Sequence, residues 1–501
     1  MAMKGMYLDP KYAFLVPDSV NMLIDSLWTQ PKDMGEYNEL MQPVIARADQ
    51  EIVELLHQGR IAESLMAADS IKSAYFHSEI YRRQVEKAIH SQSSEPIDSA
   101  QYHGWTGYNT LLGFNHGGRA WLLIHYHIIN GQLLLFMLGL KNGRSYVCAL
   151  SNPEHWYEEY LAIYNDIRKV IYPGLGIHKQ KDDLDRILWS LAQLNGQVIQ
   201  AALDIFDPPD ALFISPHSFL HALPLHVAIS EQGKGFETFQ NLSSVHYVPS
   251  LGFLATKDEA VQQYPAGIHA DRHAFYIDTE KLQCGGAERE FLEVLTSVMT
   301  PAGSTSFHDP AAQTLRDQRN DARLLHFSCH GMSALRNWGN SYLLLRDGTV
   351  TAQELLKSLD IQGTQLTVLS ACQTGLFLDV DPQVEYYAGL DMAFMVCGSR
   401  STISTFWSVG EEEAFLFNLL FYHFYLFEKM RPAQAFTLAV KFLRDGVWSA
   451  LLQDRLVAMK NGRWPASQSV YLRPLIEKLL TYKEDHFSNV THWALFKYMG
   501  F

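Results

Sequence analysis

Short apolar segments of strand length alternate with longer amphipathic segments of helix length along much of this chain of 501 residues. The clearest are a helical pattern at about His155–Tyr172, a second at Asp182–Phe206, and the apolar run Ala211–Ser215 that follows them. Strands that alternate with helices predict a parallel or mixed sheet with helices on both faces. In such sheets the reactive groups lie just beyond the carboxyl ends of the strands. A functional site is therefore expected where apolar runs end.

A β-meander is predicted ahead of this alternation. The strand-like runs Ala120–Ile129, Gln132–Leu140 and Arg144–Leu150 are separated by Asn-Gly pairs at 130–131 and 142–143. Asn-Gly is a strong hairpin signal because both central positions of the tight turn need positive φ.

The N-terminal part of the chain has a helical pattern. From about Asp18 to His90 apolar residues recur at three- and four-residue spacing, and His57–Arg60 is predicted to be a turn between helices. The segment is long enough for helix pairs of tetratricopeptide size, about 34 residues each, but it has no repeated signature. The polar stretch Ser91–Pro96 ends it.

Composition and charge exclude several classes of function. Hydrophobic residues make up 47% and charged residues 19%, which is typical of a folded globular protein. With 40 basic against 54 acidic residues the formal net charge is −14, so a nucleic-acid backbone would meet a repulsive field. Direct nucleic-acid binding is not expected.

The cysteines and the apolar runs point to the cytoplasm. Five cysteines in irregular positions do not form a disulfide framework, which favours a reducing compartment. The Met1–Lys4 start is followed by Asp9 and Pro10, not by an apolar signal core. The most apolar run, Ala414–Phe427, is too short to span a bilayer and is expected to be a buried helix. No membrane contact is expected.

Two strand-like runs end in residues suited to thiol chemistry. The run Arg323–Ser328 leads to His330, and Leu366–Ala371 leads to Cys372. If the two strands are neighbours, imidazole and thiol meet at one rim of the sheet. A thiolate there can attack a carbonyl carbon while the histidine accepts the thiol proton. Gly331 leaves room for substrate, and its backbone N–H can join that of Cys372 in stabilising the oxyanion.

Packing is the alternative for this pair. A cysteine at the end of an apolar strand is more often a small buried hydrophobe than a nucleophile, so the spacing alone does not decide. Cys329 and His330 are strand neighbours that point to opposite faces, so one is expected in the core and the other in the cleft.

Cofactor chemistry has little support in the sequence. His217 with His221, and His125 with His127, have spacings that a shared metal would allow, but no Cys or acidic partner stands at ligand spacing. The sequence also lacks a phosphate-binding Gly-Lys-Ser/Thr loop, a Rossmann glycine triplet and a Gly-x-Ser-x-Gly elbow. No metal and no other cofactor is expected.

A series of motifs in the second half of the chain carries a family resemblance. In order, they read LLHFSCHG, LLLRDGTVTAQELL, LTVLSACQTGL, AGLDMAFMVCGSRSTISTFWSV and THWALFKYMG. Upstream stand ALFISPHSFLHALPLHVAI and VHYVPSLGFL. In this combination the sequence resembles the CHAT family of peptidases, relatives of caspases and separase, over roughly residues 120–501. Residues from about Gly446 to Asp485 depart from the family pattern and are interpreted as an inserted helical arm.

The resemblance implies both a fold and a domain division. The expected fold is α/β, a caspase-like sheet flanked by helices, preceded by a related α/β half and a helical N-terminal region. The corresponding ranges are 1–115 for the helical region, 116–275 for the caspase-like half without catalysis, and 276–501 for the catalytic half.

The resemblance also implies an activity. His330 matches the family's catalytic histidine, Cys372 its nucleophile and Gly331 the glycine beside the oxyanion, and the family works with a dyad. The chain is therefore interpreted as a cysteine endopeptidase that cleaves a protein substrate and is activated by a protein partner or another signal. The alternative is a catalytically silent CHAT-fold module that serves as an interaction scaffold.

Three further residues are candidates for substrate binding. Trp407 lies in a segment that resembles the family's Trp-x-Val stretch and is expected to line a subsite, with core packing as the alternative. Asp379 and Asp381 follow Cys372 in a predicted loop. A carboxylate facing the cleft would favour Arg or Lys before the scissile bond, and separase prefers Arg. The alternative is that these acids only solvate the loop.

Overall fold

The fold is known from a computed structural model that describes most of the chain. The described residues are 2–7, 34–72, 120–152, 155–171, 177–228, 244–252, 272–299, 305–308, 311, 315, 322–334, 338–361, 364–376, 389–461 and 470–500. Within these ranges, no helix is both long enough and apolar enough to cross a membrane.

The described strands are β1 (Ala2–Tyr7), β2 (Trp121–Ile129), β3 (Gln132–Lys141), β4 (Arg144–Asn152), β5 (Ala211–Ser215), β6 (Ser244–Tyr247), β7 (His273–Ile277), β8 (Thr305–His308), β9 (Leu324–Ser328), β10 (His330–Met332), β11 (Tyr342–Leu345), β12 (Gly348–Thr351), β13 (Leu366–Ser370), β14 (Ser401–Thr405) and β15 (Phe496–Gly500). The described α-helices are α1 (Met34–His57), α2 (Trp156–Ile171), α3 (Ile177–Leu203), α4 (Gly285–Met299), α5 (Ala352–Ser358), α6 (Leu390–Val396), α7 (Glu411–Tyr422), α8 (Pro432–Arg444), α9 (Trp448–Lys460), α10 (Leu472–Leu479) and α11 (Val490–Trp493). Residues 61–72 are also helical.

Among the described residues, twelve strands form one mixed sheet in the order β1-β4-β3-β2-β5-β6-β15-β14-β13-β9-β7-β8. In the second half β14, β13, β9, β7 and β8 are parallel, whereas β15 is antiparallel to β14 and parallel to β6. The parallel strands β2, β5 and β6 therefore run opposite to β9 and β13. Their carboxyl ends lie at the other edge of the sheet.

The predicted meander is confirmed. Strands β2, β3 and β4 pair antiparallel through two tight turns. Asn130 and Gly131 have φ of 50° and 71°, and Asn142 and Gly143 have 53° and 69°, the left-handed conformations that Asn-Gly favours. The sequence did not predict β1, which pairs antiparallel with β4 at the sheet edge.

Two helical segments pack on the first half through buried charges. Gly59, with φ of 77°, ends the turn between α1 and residues 61–72, as the sequence predicts. The Lys72 ammonium donates to the backbone oxygens of Tyr126, at 2.7 Å, and Ser215, at 3.0 Å. The predicted helices beyond residue 72, and the polar stretch that ends them, lie outside the described residues.

Helices α4 and α7 lie on the sheet face toward which Ser328 and Ser370 point. Residues 415–422 of α7 are buried, as expected for an apolar helix packed against a sheet, and Phe417 stacks on Phe496 with 3.8 Å between ring centroids. Helices α9 and α10 confirm that the arm is helical. The Glu290 carboxylate of α4 accepts from the backbone N–H groups at 470–472 and joins the arm to this helix.

Candidate active site

The strands that precede His330 and Cys372 are direct neighbours. Strands β9 and β13 pair in parallel, and their last register partners are Ser328 and Ser370. His330 and Cys372 each stand two residues beyond that pair. The backbone thus brings the two residues to the same rim of the sheet, because the carboxyl ends of parallel strands meet at one edge.

Gly331 packs directly against the backbone of the Cys372 loop, residues 371–376. A Cβ atom at this position would lie 2.8 Å from the Cys372 carbonyl oxygen and 3.2 Å from the Ala371 Cβ. Only glycine permits so close an approach. His330 is half-buried, and residues 330–332 form β10, which pairs with β11 in a separate three-stranded sheet.

The Cys372 loop turns sharply and is hydrogen-bonded to the end of β14. Gln373 adopts a left-handed conformation with φ of 57°. The backbone N–H of Gly375 donates to the Thr405 carbonyl at 3.0 Å, and the Thr405 hydroxyl donates to the Ala371 carbonyl at 2.9 Å. These bonds fix where the Cys372 side chain leaves the backbone.

A buried ion pair lies against the Cys372 loop. Asp391 is 0% exposed and Lys497 1% exposed, and their charged groups are 3.2 Å apart. The Ser404 hydroxyl also donates to Asp391, at 2.9 Å. A Cβ at Gly375 would meet that hydroxyl oxygen at 2.5 Å, so the loop rests on this cluster. The sequence analysis did not predict this ion pair, although an acid and a lysine within apolar segments could have indicated it.

The Cys372 thiol differs from the other four in exposure. Cys372 is partly exposed, whereas Cys148, Cys284, Cys329 and Cys397 are buried. Cys329 therefore lies in the core, one of the two arrangements predicted for the Cys329–His330 step.

In this structure the Cys372 thiol donates a hydrogen bond to the Val409 carbonyl oxygen at 3.7 Å. Burial raises the pKa of Cys372, hydrogen bonds with the Val409 backbone and the Ser408 side chain lower it, and the carboxylates of Glu411 and Glu413 raise it. The net direction is upward, which disfavours the thiolate, the nucleophilic form of the side chain.

The candidate substrate residues have different positions. Trp407 is 6% exposed, and its indole N–H donates to the Thr491 carbonyl at 3.3 Å. The Trp407 carbonyl accepts a hydrogen bond from the backbone N–H of Gln373 at 3.5 Å, so the Trp407 backbone borders the Cys372 loop. A subsite formed by Trp407 stays a prediction. Asp379 and Asp381 lie outside the described residues.

The histidines weighed as metal ligands lie in the first half, at β2 and after β5. His125 and His127 share a face of β2, and the rings of His127 and His217 are 4.5 Å apart between centroids. Burial lowers the pKa of His125, and Lys72 lowers it further. Among the residues that the structure describes, no group of three His, Cys, Asp or Glu side chains is arranged to hold a metal ion.

Comparison with known proteins identifies a family. The sequence model of the CHAT domain matches residues 182–501. A comparison with curated proteins gave no significant match.

Among solved structures, the chain is similar to a chain in the crystal structure of the Saccharomyces cerevisiae separase–securin complex at 2.6 Å resolution. The TM-score is 0.55 at 11% sequence identity, and the match covers 100% of this chain. A second structure of that complex, at 3.0 Å, gives a TM-score of 0.47 at 11% identity and covers 88% of this chain and 37% of the matched one. This chain spans 38% of the length of the first matched chain.

The likeness to separase confirms the expected fold, a large mixed sheet flanked by helices. At 11% identity it concerns the fold alone. The family match extends over more than half of the chain and includes β9, β13 and the loops that carry His330 and Cys372. The chain belongs to the CHAT-domain family.

Proposed function

We propose that the chain is a cysteine endopeptidase in which Cys372 is the nucleophile and His330 its general base. One observation carries the proposal: β9 and β13 are parallel neighbours, and the two residues stand at equal distances beyond their last paired positions. The contact between the Gly331 position and the Cys372 backbone supports the same adjacency.

The reaction follows the chemistry of a thiol–imidazole pair. His330 accepts the proton of Cys372, and the thiolate attacks the carbonyl carbon of the scissile peptide bond. The backbone N–H groups of Gly331 and Cys372 stabilise the oxyanion of the tetrahedral intermediate. His330 then protonates the leaving amine, and water hydrolyses the thioester to release the second product and restore the thiol.

The resting state of the thiol suits an enzyme that requires activation. Burial raises the pKa of Cys372, so its thiolate is scarce while the thiol stays packed beside the Trp407–Val409 segment. A protein partner that moves this segment would expose the thiol to solvent and lower its pKa. The similar structure is itself a complex of separase with a protein, securin. A reducing compartment such as the cytoplasm would keep the thiol available.

Substrate preference forms the finer part of the proposal. Asp379 and Asp381 would favour Arg or Lys before the cut, because a guanidinium or ammonium group pairs with a carboxylate. Trp407 would line a neighbouring subsite.

The second candidate is an interaction scaffold with the CHAT fold and no catalysis. The burial that raises the pKa of the Cys372 thiol is the observation that favours it. The presence of both His330 and Cys372 at one sheet rim favours the enzyme instead.

A thiol-directed covalent probe separates the two candidates. The intact full-length chain, His330→Ala and Cys372→Ala are each incubated with an alkyne-tagged peptidyl acyloxymethyl ketone, with and without cell extract as a source of activator. Mass spectrometry then locates the adduct. The enzyme predicts labelling of Cys372 that His330→Ala abolishes. Labelling that is absent under every condition in the intact chain supports the scaffold.

A further inference from the structure

A buried carboxylate lies behind the strand that carries His330. Glu288, on α4, is 3% exposed. One of its oxygens accepts from the Ser328 hydroxyl at 2.6 Å, and the other accepts from the Asn418 side-chain amide at 2.6 Å. Ser328 is the last residue of β9, so a single carboxylate joins this strand end to α4 and α7.

Asn418 extends the connection to the strand that carries Cys372. It is 2% exposed, on the otherwise apolar helix α7. Its side-chain nitrogen also donates to the Ser370 hydroxyl at 2.8 Å. Because Ser328 and Ser370 are register partners, Glu288 and Asn418 together bridge the ends of both strands, two residues before each member of the proposed dyad.

Two further buried polar groups lie beside the Glu288 carboxylate. The His326 Nε2 atom lies 3.1 Å from a Glu288 oxygen, and the Tyr422 hydroxyl lies 2.9 Å from His326 Nδ1. Burying a carboxylate costs free energy that an apolar side chain would avoid, and the hydrogen bonds from Ser328 and Asn418 offset part of that cost.

We infer that Glu288 and Asn418 are positioning residues, which set the separation between the His330 imidazole and the Cys372 thiol by fixing the ends of β9 and β13. This inference rests on the proposed function. Proton transfer between the two groups needs hydrogen-bond geometry, and a displacement of about 1 Å can cost on the order of 100-fold in rate. Neither residue contacts the substrate in this account.

The test measures how fast iodoacetamide alkylates Cys372 in the full-length chain as a function of pH, with cell extract added as a source of activator and the site identified by mass spectrometry. The variants are Glu288→Gln, which keeps the shape but removes the charge, and Asn418→Leu, which removes both donated hydrogen bonds. Each is expected to shift the pH profile of alkylation and to lower the rate at pH 7 by roughly ten-fold, as a displacement of a fraction of 1 Å implies.

Asn195→Leu is the matched control. Asn195 is a buried asparagine on α3 in the first half, where it donates to the Val227 carbonyl at 2.7 Å and accepts from the Tyr160 hydroxyl at 2.7 Å. Its replacement removes a comparable buried network far along the sheet. It is expected to lower the melting temperature as much as Asn418→Leu does and to leave the alkylation profile unchanged.

An exchange variant distinguishes a loss of positioning from a general loss of stability. Combining Glu288→Gln with Asn418→Asp reverses donor and acceptor between the two helices and keeps one negative charge. The double variant is expected to recover most of the wild-type profile, whereas each of its single substitutions does not.

The outcomes separate this inference from the proposed dyad. If His330→Ala shifts the profile but Glu288→Gln and Asn418→Leu match the wild type, the dyad stands and the positioning role is wrong. Failure of the exchange variant to recover the profile also overturns the positioning role. If His330→Ala itself leaves the profile unchanged, the proposed function fails.

Discussion

Substituting Gly331 by alanine tests how closely the histidine strand packs against the nucleophile. The added methyl carbon would lie 2.8 Å from the Cys372 carbonyl oxygen, 3.2 Å from the Ala371 Cβ and 3.3 Å from the Thr374 Cγ2. The nearest of these atoms is a backbone oxygen, which no change of side-chain rotamer can move aside. Relief of the contact therefore requires β10 and the Cys372 loop to separate.

The size of the separation follows from the contact distance. Ordinary contact at a Cβ begins near 3.4 Å, so the gap of 2.8 Å must widen by about 0.6 Å. A displacement of about 1 Å between reacting groups can cost on the order of 100-fold in rate, so about 0.6 Å corresponds to roughly 10- to 20-fold. Gly331 lies at the sheet rim, so the melting temperature is expected to change little.

The assay compares Gly331→Ala with Gly410→Ala in peptide hydrolysis and in iodoacetamide alkylation of Cys372. At Gly410 the nearest atom to an added Cβ is the Glu413 Cδ at 3.4 Å, an ordinary contact, so this control is expected to keep wild-type rates. Wild-type rates of Cys372 alkylation and peptide hydrolysis in Gly331→Ala, or an equal loss of activity in both glycine variants, would show that the close packing of Gly331 does not set the geometry of the site.

Four further predictions follow from the site. Cys372→Ala and His330→Ala each abolish hydrolysis with an unchanged melting temperature, and the double variant is no slower than either, because members of one catalytic unit are not additive. Burial raises the pKa of Cys372, so the thiol binds its proton more tightly in the folded than in the unfolded chain. The rate of Cys372 alkylation is therefore expected to keep rising above pH 9 in the folded chain and to level off there in urea. Lys497→Met leaves the buried Asp391 charge without this cation and lowers the unfolding free energy by about 3–5 kcal/mol in denaturant titration, and adding Asp391→Leu recovers part of that loss. In a library of peptides that differ only before the cut, Arg and Lys are preferred, and a clear preference for an apolar or acidic residue would remove the proposed pocket.

Elements whose structure depends on local chemistry were predictable from the sequence. The meander followed from Asn-Gly pairs that adopt positive φ, and Ala211–Ser215 followed from a short apolar run between helices. The strands before His330 and Cys372 were predictable for the same reason, since a strand buried on both faces reads as a continuous apolar run. The sequence did not show whether these two strands are neighbours, and the structure shows that they pair.

Features that depend on distant pairing were not predictable in this way. Strand β1 pairs with β4 across more than a hundred residues, and no local periodicity records such a partner. Glu288 has the position of an ordinary first-turn acid, which would be attributed to the helix dipole. Asn418 was visible as an interruption in the run from Ala414 to Phe427, but its partners on two other elements appear only in the folded chain.

Comparison of newly formed protein N-termini tests most directly whether this chain is a peptidase. Cells that express the intact chain, Cys372→Ala or His330→Ala at equal levels are analysed by N-terminal peptide proteomics under the same range of stimuli. The account predicts one or more new N-termini that arise only with the intact chain, which name the substrate and the residue before the cut. Identical sets of N-termini in all three cell lines would contradict it.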